Sequence, residues 1–341
     1  MICQLGIGRP ANPARCRNRP IGGVRSSLAV QLSGAFAHTF GNYRLADTTA
    51  QPDNSHACPG RGGFSVQSPT VFDLDAYLAR IGLSGRPGFA EVHRAHATAI
   101  PFENLDPHRG VPVSLAIDDL ERKLVRDRRG GYCFEQNLLL ATALQALGVE
   151  VDLMLARVRV GGVVRPASHL LVRAFADGDA WHVDAGFGLG TLLEPIPFGP
   201  GGEYEQSGWR FRVVQDGPEY VLQAASESGW ADQYGFVPEP VAPVDIEVQN
   251  WFTSTHPRSP FVTGLIASRY RDDGTLVALT DWDGPVALND RDGLALTEAT
   301  PTKSTVTPVQ RGAIPELLAE RFGLNGFALG ADGRLIATGH P

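Results

Sequence analysis

The sequence predicts an α+β protein with a helical N-terminal domain, a central antiparallel sheet or barrel, and a mixed C-terminal lobe. Three observations carry this expectation. From residue 71 to Gly148 the apolar residues recur at helical spacing, and after Gly148 the period switches to two. From about Phe261 the two patterns mix. The chain has 341 residues, 43% of them hydrophobic and 20% charged, enough apolar material for more than one core. The expected divisions are a leader at 1–70, a helical domain at 71–155, a barrel-like domain at 156–260 and an α/β lobe at 261–341.

The leader stands apart in composition. Residues 1–70 hold seven arginines, no lysine and only Asp47 and Asp53 as acids, with Gly, Pro, Ser and Asn in abundance. Such a segment is expected to be poorly ordered, or to reflect an over-extended translation start. An Arg-rich transit segment is a second reading. A secretory signal ending at the Ala-x-Ala element of Ala35 and Ala37 is a third, weakened by Gln31, Ser33 and Gly34 in its apolar stretch. The net charge of −7 argues against a general nucleic-acid role, and no run of eighteen apolar residues suggests a membrane span. Cys3, Cys16 and Cys58 all fall in the leader, so residues 71–341 carry Cys133 alone. One thiol makes no internal disulfide, and no C-x-x-C suggests zinc or any other metal, so a reducing, cytoplasmic setting is expected.

Within the helical domain, VFDLDAYLARIGLSG places Phe72, Leu74, Tyr77, Leu78 and Ile81 on one face. FAEVHRAHATAI is a second helix, stopped before Pro101, with His93 and His96 expected on its surface. SLAIDDLERKLVRD is a third. FEQNLLLATALQALG is a fourth, closed by Gly148. The strands that follow are VEVDLMLARVRV, SHLLVRAF, AWHVDAGF, RFRVVQ and YVLQAAS, and the last lobe contributes TLVALT and a helix near IPELLAERFG.

Chemistry is suggested first by RRGGYCFEQN, Arg128–Asn137, which puts Cys133 between two glycines and a helix start. Unpaired N–H groups and the dipole at a helix N-terminus favour an anion, so the position suits a thiolate nucleophile. Gly130 and Gly131 are expected to take backbone conformations closed to other residues and to keep side chains out of the space before the sulfur. Glu135, in the first helical turn, is expected to complement the dipole or pair with Arg129. A nucleophilic thiolate needs a base and an orienting group. SHLLVRAF and AWHVDAG read as a hairpin turning at Asp177-Gly178. A two-residue loop pairs Phe175 with Ala180, and puts His169 and Asp184 on one face as diagonal neighbours. His182 shares the parity of Asp184, so periodicity does not choose between the two histidines.

RGGYCFEQN, SHLLV and WHVDAGFG, joined by IPFENLD (Ile100–Asp106) and NWFTSTHPRSPF (Asn250–Phe261), resemble the arylamine N-acetyltransferase family over about residues 71–341. The resemblance implies a Cys133, His169 and Asp184 triad arranged as in papain-like and transglutaminase-like enzymes, with the C-terminal α/β lobe as a lid. It implies acetyl-CoA as co-substrate, with no permanently bound cofactor, and a two-stage acetyl transfer to an arylamine or arylhydrazine. It implies CoA contacts at Gly186, Gly188, Thr253 and Ser254, and an acceptor pocket with Phe102, Phe187 and Phe252. A monomer or weak homodimer is expected. An amide synthase closing a macrolactam, and a thiol hydrolase or transglutaminase-like enzyme, are the alternatives on the same residues; the first is separated by genomic neighbours, the second by how well the acyl-enzyme is kept from water.

Overall fold

The structure, a computed structural model, describes residues 72–162, 165–226, 229–281 and 293–339. The expected leader, with Cys3, Cys16 and Cys58, lies outside the described residues. In chain order the N-terminal part forms α1 (Leu74–Arg80), α2 (Phe89–Ala99), β1 (Phe102–Glu103), α3 (Leu105–His108), α4 (Ile117–Leu120) and α5 (Cys133–Ala146). The third predicted helix is therefore α4, continued as a π-helical turn over Glu121–Arg126. Gly148, at φ 89°, ends the run after α5.

The central strands are β2 (Glu150–Val158), β3 (His169–Ala176), β4 (Asp179–Val183), β5 (Ile196–Pro197), β6 (Glu203–Gln206), β7 (Trp209–Asp216), β8 (Glu219–Ser226) and β9 (Gly229–Phe236). They form one barrel-like antiparallel sheet in the order β5-β4-β3-β2-β9-β8-β7-β6. β2 runs across the expected division at 155/156. The chain continues through α6 (Pro243–Thr255), α7 (Pro260–Thr263), β10 (Ile266–Tyr270), β11 (Leu276–Thr280), β12 (Ala295–Thr300), β13 (Lys303–Pro308), α8 (Ile314–Phe322), β14 (Phe327–Leu329) and β15 (Leu335–Ala337). A second sheet runs β1-β10-β11-β12-β13, so a strand from the helical region pairs into the C-terminal lobe.

Packing explains one departure from expectation. His93 and His96 are buried, not on the surface. They share the inward face of α2 with Val92 and Ala97, because α2 packs against both α5 and β10. His96 is held on both sides: its Nδ1 lies 2.8 Å from the Tyr77 hydroxyl and its Nε2 2.7 Å from Gln136 Oε1. Burial pushes its imidazole down to about 3. α6 covers TST of the NWFTSTHPRSPF segment, and Thr253 and Ser254 are buried in its last turn. Among the described residues no helix is long and apolar enough to cross a membrane.

Candidate active site

Cys133 is the first residue of α5, so its own N–H has no acceptor inside the helix. The turn before it is clamped from several sides. Glu103 N donates to the Gly131 carbonyl at 3.0 Å and Gly131 N to the Pro101 carbonyl at 3.3 Å, which zips the turn to β1. Neither Gly130 nor Gly131 has a positive φ; it is Arg128, at φ 52°, that turns the chain there. The glycines are required by contact instead. A Cβ on Gly130 would lie 2.1 Å from the Pro101 carbonyl oxygen, and one on Gly131 2.7 Å from Glu135 Oε2. Their missing side chains admit β1 and Glu135, rather than clearing space before the sulfur.

Glu135 does not pair with Arg129. Its Oε2 accepts from Tyr132 N at 3.1 Å, capping the helix, and its Oε1 accepts from Lys123 Nζ at 2.7 Å. Arg129 pairs with Glu103 at 2.7 Å and Asp106 at 3.1 Å. The turn thus rests on a buried ionic cluster. On its other side the Tyr132 hydroxyl donates to Asn250 Oδ1 on α6, and Asn104 joins β1 to the start of β10, donating to the Phe261 and Gly264 carbonyls and accepting from Ile266 N. IPFENLD and NWFTSTHPRSPF therefore both brace the cysteine turn.

The β3–β4 hairpin turns at Asp177 and Gly178, at φ 56° and 87°, the two positive angles a type I′ turn needs. Phe175 pairs with Ala180 and Val172 with Val183. This register brings His169 Nε2 to 2.7 Å from Asp184 Oδ2. The same imidazole lies beside the Cys133 thiol, and with Nε2 committed to Asp184 the ring nitrogen left to face the sulfur is Nδ1. The Cys133 sulfur lies 3.5 Å from the Ser168 carbonyl oxygen.

Asp184 accepts four hydrogen bonds: from His169 Nε2, from the Tyr234 hydroxyl at 2.7 Å, from Asn137 Nδ2 at 2.8 Å and from Gly186 N at 2.9 Å. Burial opposes its ionisation, but His169 and these donors hold the carboxyl well below the usual range. Burial likewise depresses His169, yet the Asp184 charge, its hydrogen bond and the Cys133 contact outweigh that and push the imidazole up to about 9. His182 goes the other way. It lies beside Tyr234, 2.8 Å from Nε2 to the hydroxyl, with its ring edge-on to Phe236. Burial wins there over the more indirect pull of Asp184, and the imidazole falls to about 4. Since Tyr234 gives its proton to Asp184, His182 Nε2–H donates to Tyr234. His93 is a third buried imidazole near Asp184; the Asp184 and Leu192 carbonyls face its ring without completing a well-formed hydrogen bond.

A cavity of about 230 Å³ opens onto Cys133 and His169, walled mainly by Phe102, Phe187, Leu189, Phe261 and Ile266, with Gly186, Ser168 and Arg165 at its edge. Of the expected ligand contacts, Phe102, Phe187 and Gly186 line it. Gly188 stands behind Phe102: a Cβ there would lie 3.2 Å from that ring. In the DAGFGLG turn the Gly186 amide is taken by Asp184 and the Phe187 amide by Thr191 Oγ1, so neither is free for a phosphate. Thr253, Ser254 and Phe252 lie outside the cavity wall. Phe252 stacks on His256 at 4.5 Å, and Ser254 lies beside the Tyr132 hydroxyl. Asn137 was discoverable from the sequence, one helical turn after Cys133 on the same face. Tyr234 carries no local signal, because long-range pairing alone brings it to the site.

The model of the N-acetyltransferase family matches residues 87–326. An arylamine N-acetyltransferase of Mycolicibacterium smegmatis is 41% identical over 215 residues, 60% of this chain and 78% of that protein. An N-malonyltransferase of Gibberella moniliformis is 34% identical over 232 residues, 57% of this chain and 66% of that protein. The structure of Mycobacterium marinum arylamine N-acetyltransferase in complex with CoA superposes with a TM-score of 0.68 at 33% identity, covering 74% of this chain and 93% of that one. With a family match across most of the chain and a fold shared with solved members, this acyltransferase belongs to the arylamine N-acetyltransferase family.

Proposed function

We propose that the protein carries acetyl groups from acetyl-CoA to arylamines and arylhydrazines through an acetyl-Cys133 intermediate. The observation that supports this most is His169, held by Asp184 on one ring nitrogen and facing Cys133 with the other at the floor of an apolar cavity. His169 holds the Cys133 proton as an imidazolium beside the thiolate, and the thiolate sulfur attacks the thioester carbonyl. The new C–S bond forms as the bond to CoA breaks, and the CoA sulfur leaves with the proton from His169. The Cys133 N–H at the helix start is the donor best placed for the developing oxyanion. An amine then attacks the acetyl carbon; a C–N bond forms, the bond to Cys133 breaks, and the surplus amine proton passes to His169. Weakly basic aromatic amines suit this step because they keep a free lone pair at neutral pH. Asp184 fixes the tautomer and stabilises the imidazolium, as in other triads. Phe102, Phe187 and Phe261 exclude water from the acyl-enzyme, which favours transfer over hydrolysis.

Intact-mass measurement after mixing with acetyl-CoA tests this directly. One acetyl adduct on Cys133, discharged by an arylamine, is expected; a protein that never gains it ends the proposal. The His169 imidazole also sets a pH dependence. Its folded value is raised from 6.5 to about 9, so its proton is retained through neutral pH and lost as pH rises through about 9. The rate of adduct formation is expected to fall above about pH 9, measured by quenched intact mass. A basic limb already complete by pH 7 would contradict it.

A further inference from the structure

Among the described residues, Arg165 is the charged side chain on the cavity wall apart from the catalytic pair. Among the described residues no Asp or Glu lines the cavity, and no carboxylate pairs with this guanidinium. It is not loose: one nitrogen, Nη1, donates to the Val160 carbonyl at 2.6 Å, while the Arg165 carbonyl accepts from Arg157 Nη1 at 2.7 Å. A guanidinium has five N–H donors in a planar fork, so anchoring Nη1 leaves an edge free for a bidentate anion. Partial burial without a counter-charge costs free energy that an incoming anion would recover. Apart from Ser168, the rest of the wall is apolar. The cavity therefore combines an aromatic slot with one fixed cationic edge, a few residues upstream of His169.

We propose that Arg165 is a specificity-determining residue that reads a carboxylate on the substrate. The inference rests on the acyl transfer proposed above and narrows it to acids. The carboxylate has two possible sources: a ring carboxylate on the aromatic amine, or the free acid of a dicarboxylic acyl group on CoA, such as malonyl. Both bring a planar anion to the same edge. A cationic amine substituent would be repelled by Arg165 and by the His169 imidazolium.

The test uses wild-type protein, Arg165→Gln and Arg165→Lys. Alkylation of Cys133 by iodoacetamide is followed in the presence of benzoate or benzamide, two probes of nearly equal shape, of which one is charged. This readout needs no turnover, so it stands even if no acetyl adduct is ever seen. Benzoate is expected to protect wild type well below the benzamide concentration. In Arg165→Gln the benzoate-to-benzamide preference should fall about 10- to 100-fold, the range for a hydrogen-bonded charge. Arg165→Lys, which keeps the charge without the fork, should fall between. In a second arm, adduct formation is compared with malonyl-CoA and acetyl-CoA. A preference lost only in the benzoate arm assigns the carboxylate to the acceptor; one lost only with malonyl-CoA assigns it to the acyl donor. Three results would overturn the proposal: no wild-type preference for either acid, charged and neutral probes shifting by one factor, or weakened free CoA binding as the sole change, which would make Arg165 a phosphate contact. If Arg165→Gln fails to fold by circular dichroism, the wild-type preference and Arg165→Lys decide the matter.

Discussion

Cys133→Ser is expected to lower acetyl transfer by at least about 10³-fold while leaving the fold in place. The substitution exchanges sulfur for a smaller oxygen at a buried helix start, where the glycines, β1 and Glu135 already define the turn. Nothing that braces the turn depends on the sulfur. The Glu135 cap, the Lys123 pair and the Asn250 contact all use the backbone of residue 132 or side chains other than Cys133. The chemistry does depend on it. A serine hydroxyl is far less acidic than a thiol, so an imidazole at about 9 cannot hold it as an alkoxide. The measurements are CoA release with an arylamine acceptor and thermal unfolding followed by circular dichroism. A rate within tenfold of wild type would show that another group starts the reaction.

Asp184→Asn should cost about 10³- to 10⁴-fold in kcat/KM, through the tautomer of His169 rather than through lost contact. Both carboxylate oxygens of Asp184 now face only donors: Asn137 and Gly186 on one, His169 and Tyr234 on the other. An amide must turn its NH2 toward one of these pairs. Toward His169 it forces Nε2 to accept, which moves the ring proton to Nδ1, where it faces Cys133 and cannot serve as a base. The same change removes the largest force raising His169, so burial takes over and the imidazole falls toward the depressed value of its neighbour His182. The basic limb of adduct formation should therefore move down by more than one pH unit. A variant that is slow but keeps its limb near pH 9 would mean that Asp184 acts by packing alone.

Much of the local framework was legible because it follows from short-range rules. The helix over Cys133–Ala146 follows from its apolar run and the Gly148 stop. The β3–β4 register follows from a two-residue Asp-Gly loop, since parity along a strand leaves no freedom once the turn is set. That single inference put His169 and Asp184 on one face. Other readings failed where a distant partner decided the outcome. His93 and His96 looked exposed because an amphipathic pattern does not state how wide its buried face is, and α2 is packed by two elements at once. Glu135 was expected to complement the helix dipole or to pair with Arg129; it caps the helix start, but its ion pair is with Lys123 across the π-helical turn, while Glu103 and Asp106 claim the arginine.

The choice between His169 and His182 shows the same division. Both are strand histidines of suitable parity, and the covalent sequence contains no force that separates them. In the folded protein one ring touches Asp184 and Cys133 and is driven to about 9; the other meets Tyr234 and Phe236 and is driven to about 4. Composition, period and turn chemistry determined which elements form and which residues share a face, because those forces act over a few residues. Which imidazole is charged, why Gly130 has no side chain, and which arginine overlooks the cavity were decided by the tertiary structure. Desolvation and Coulomb interactions depend on neighbours brought together from opposite ends of the chain, and only packing supplies them.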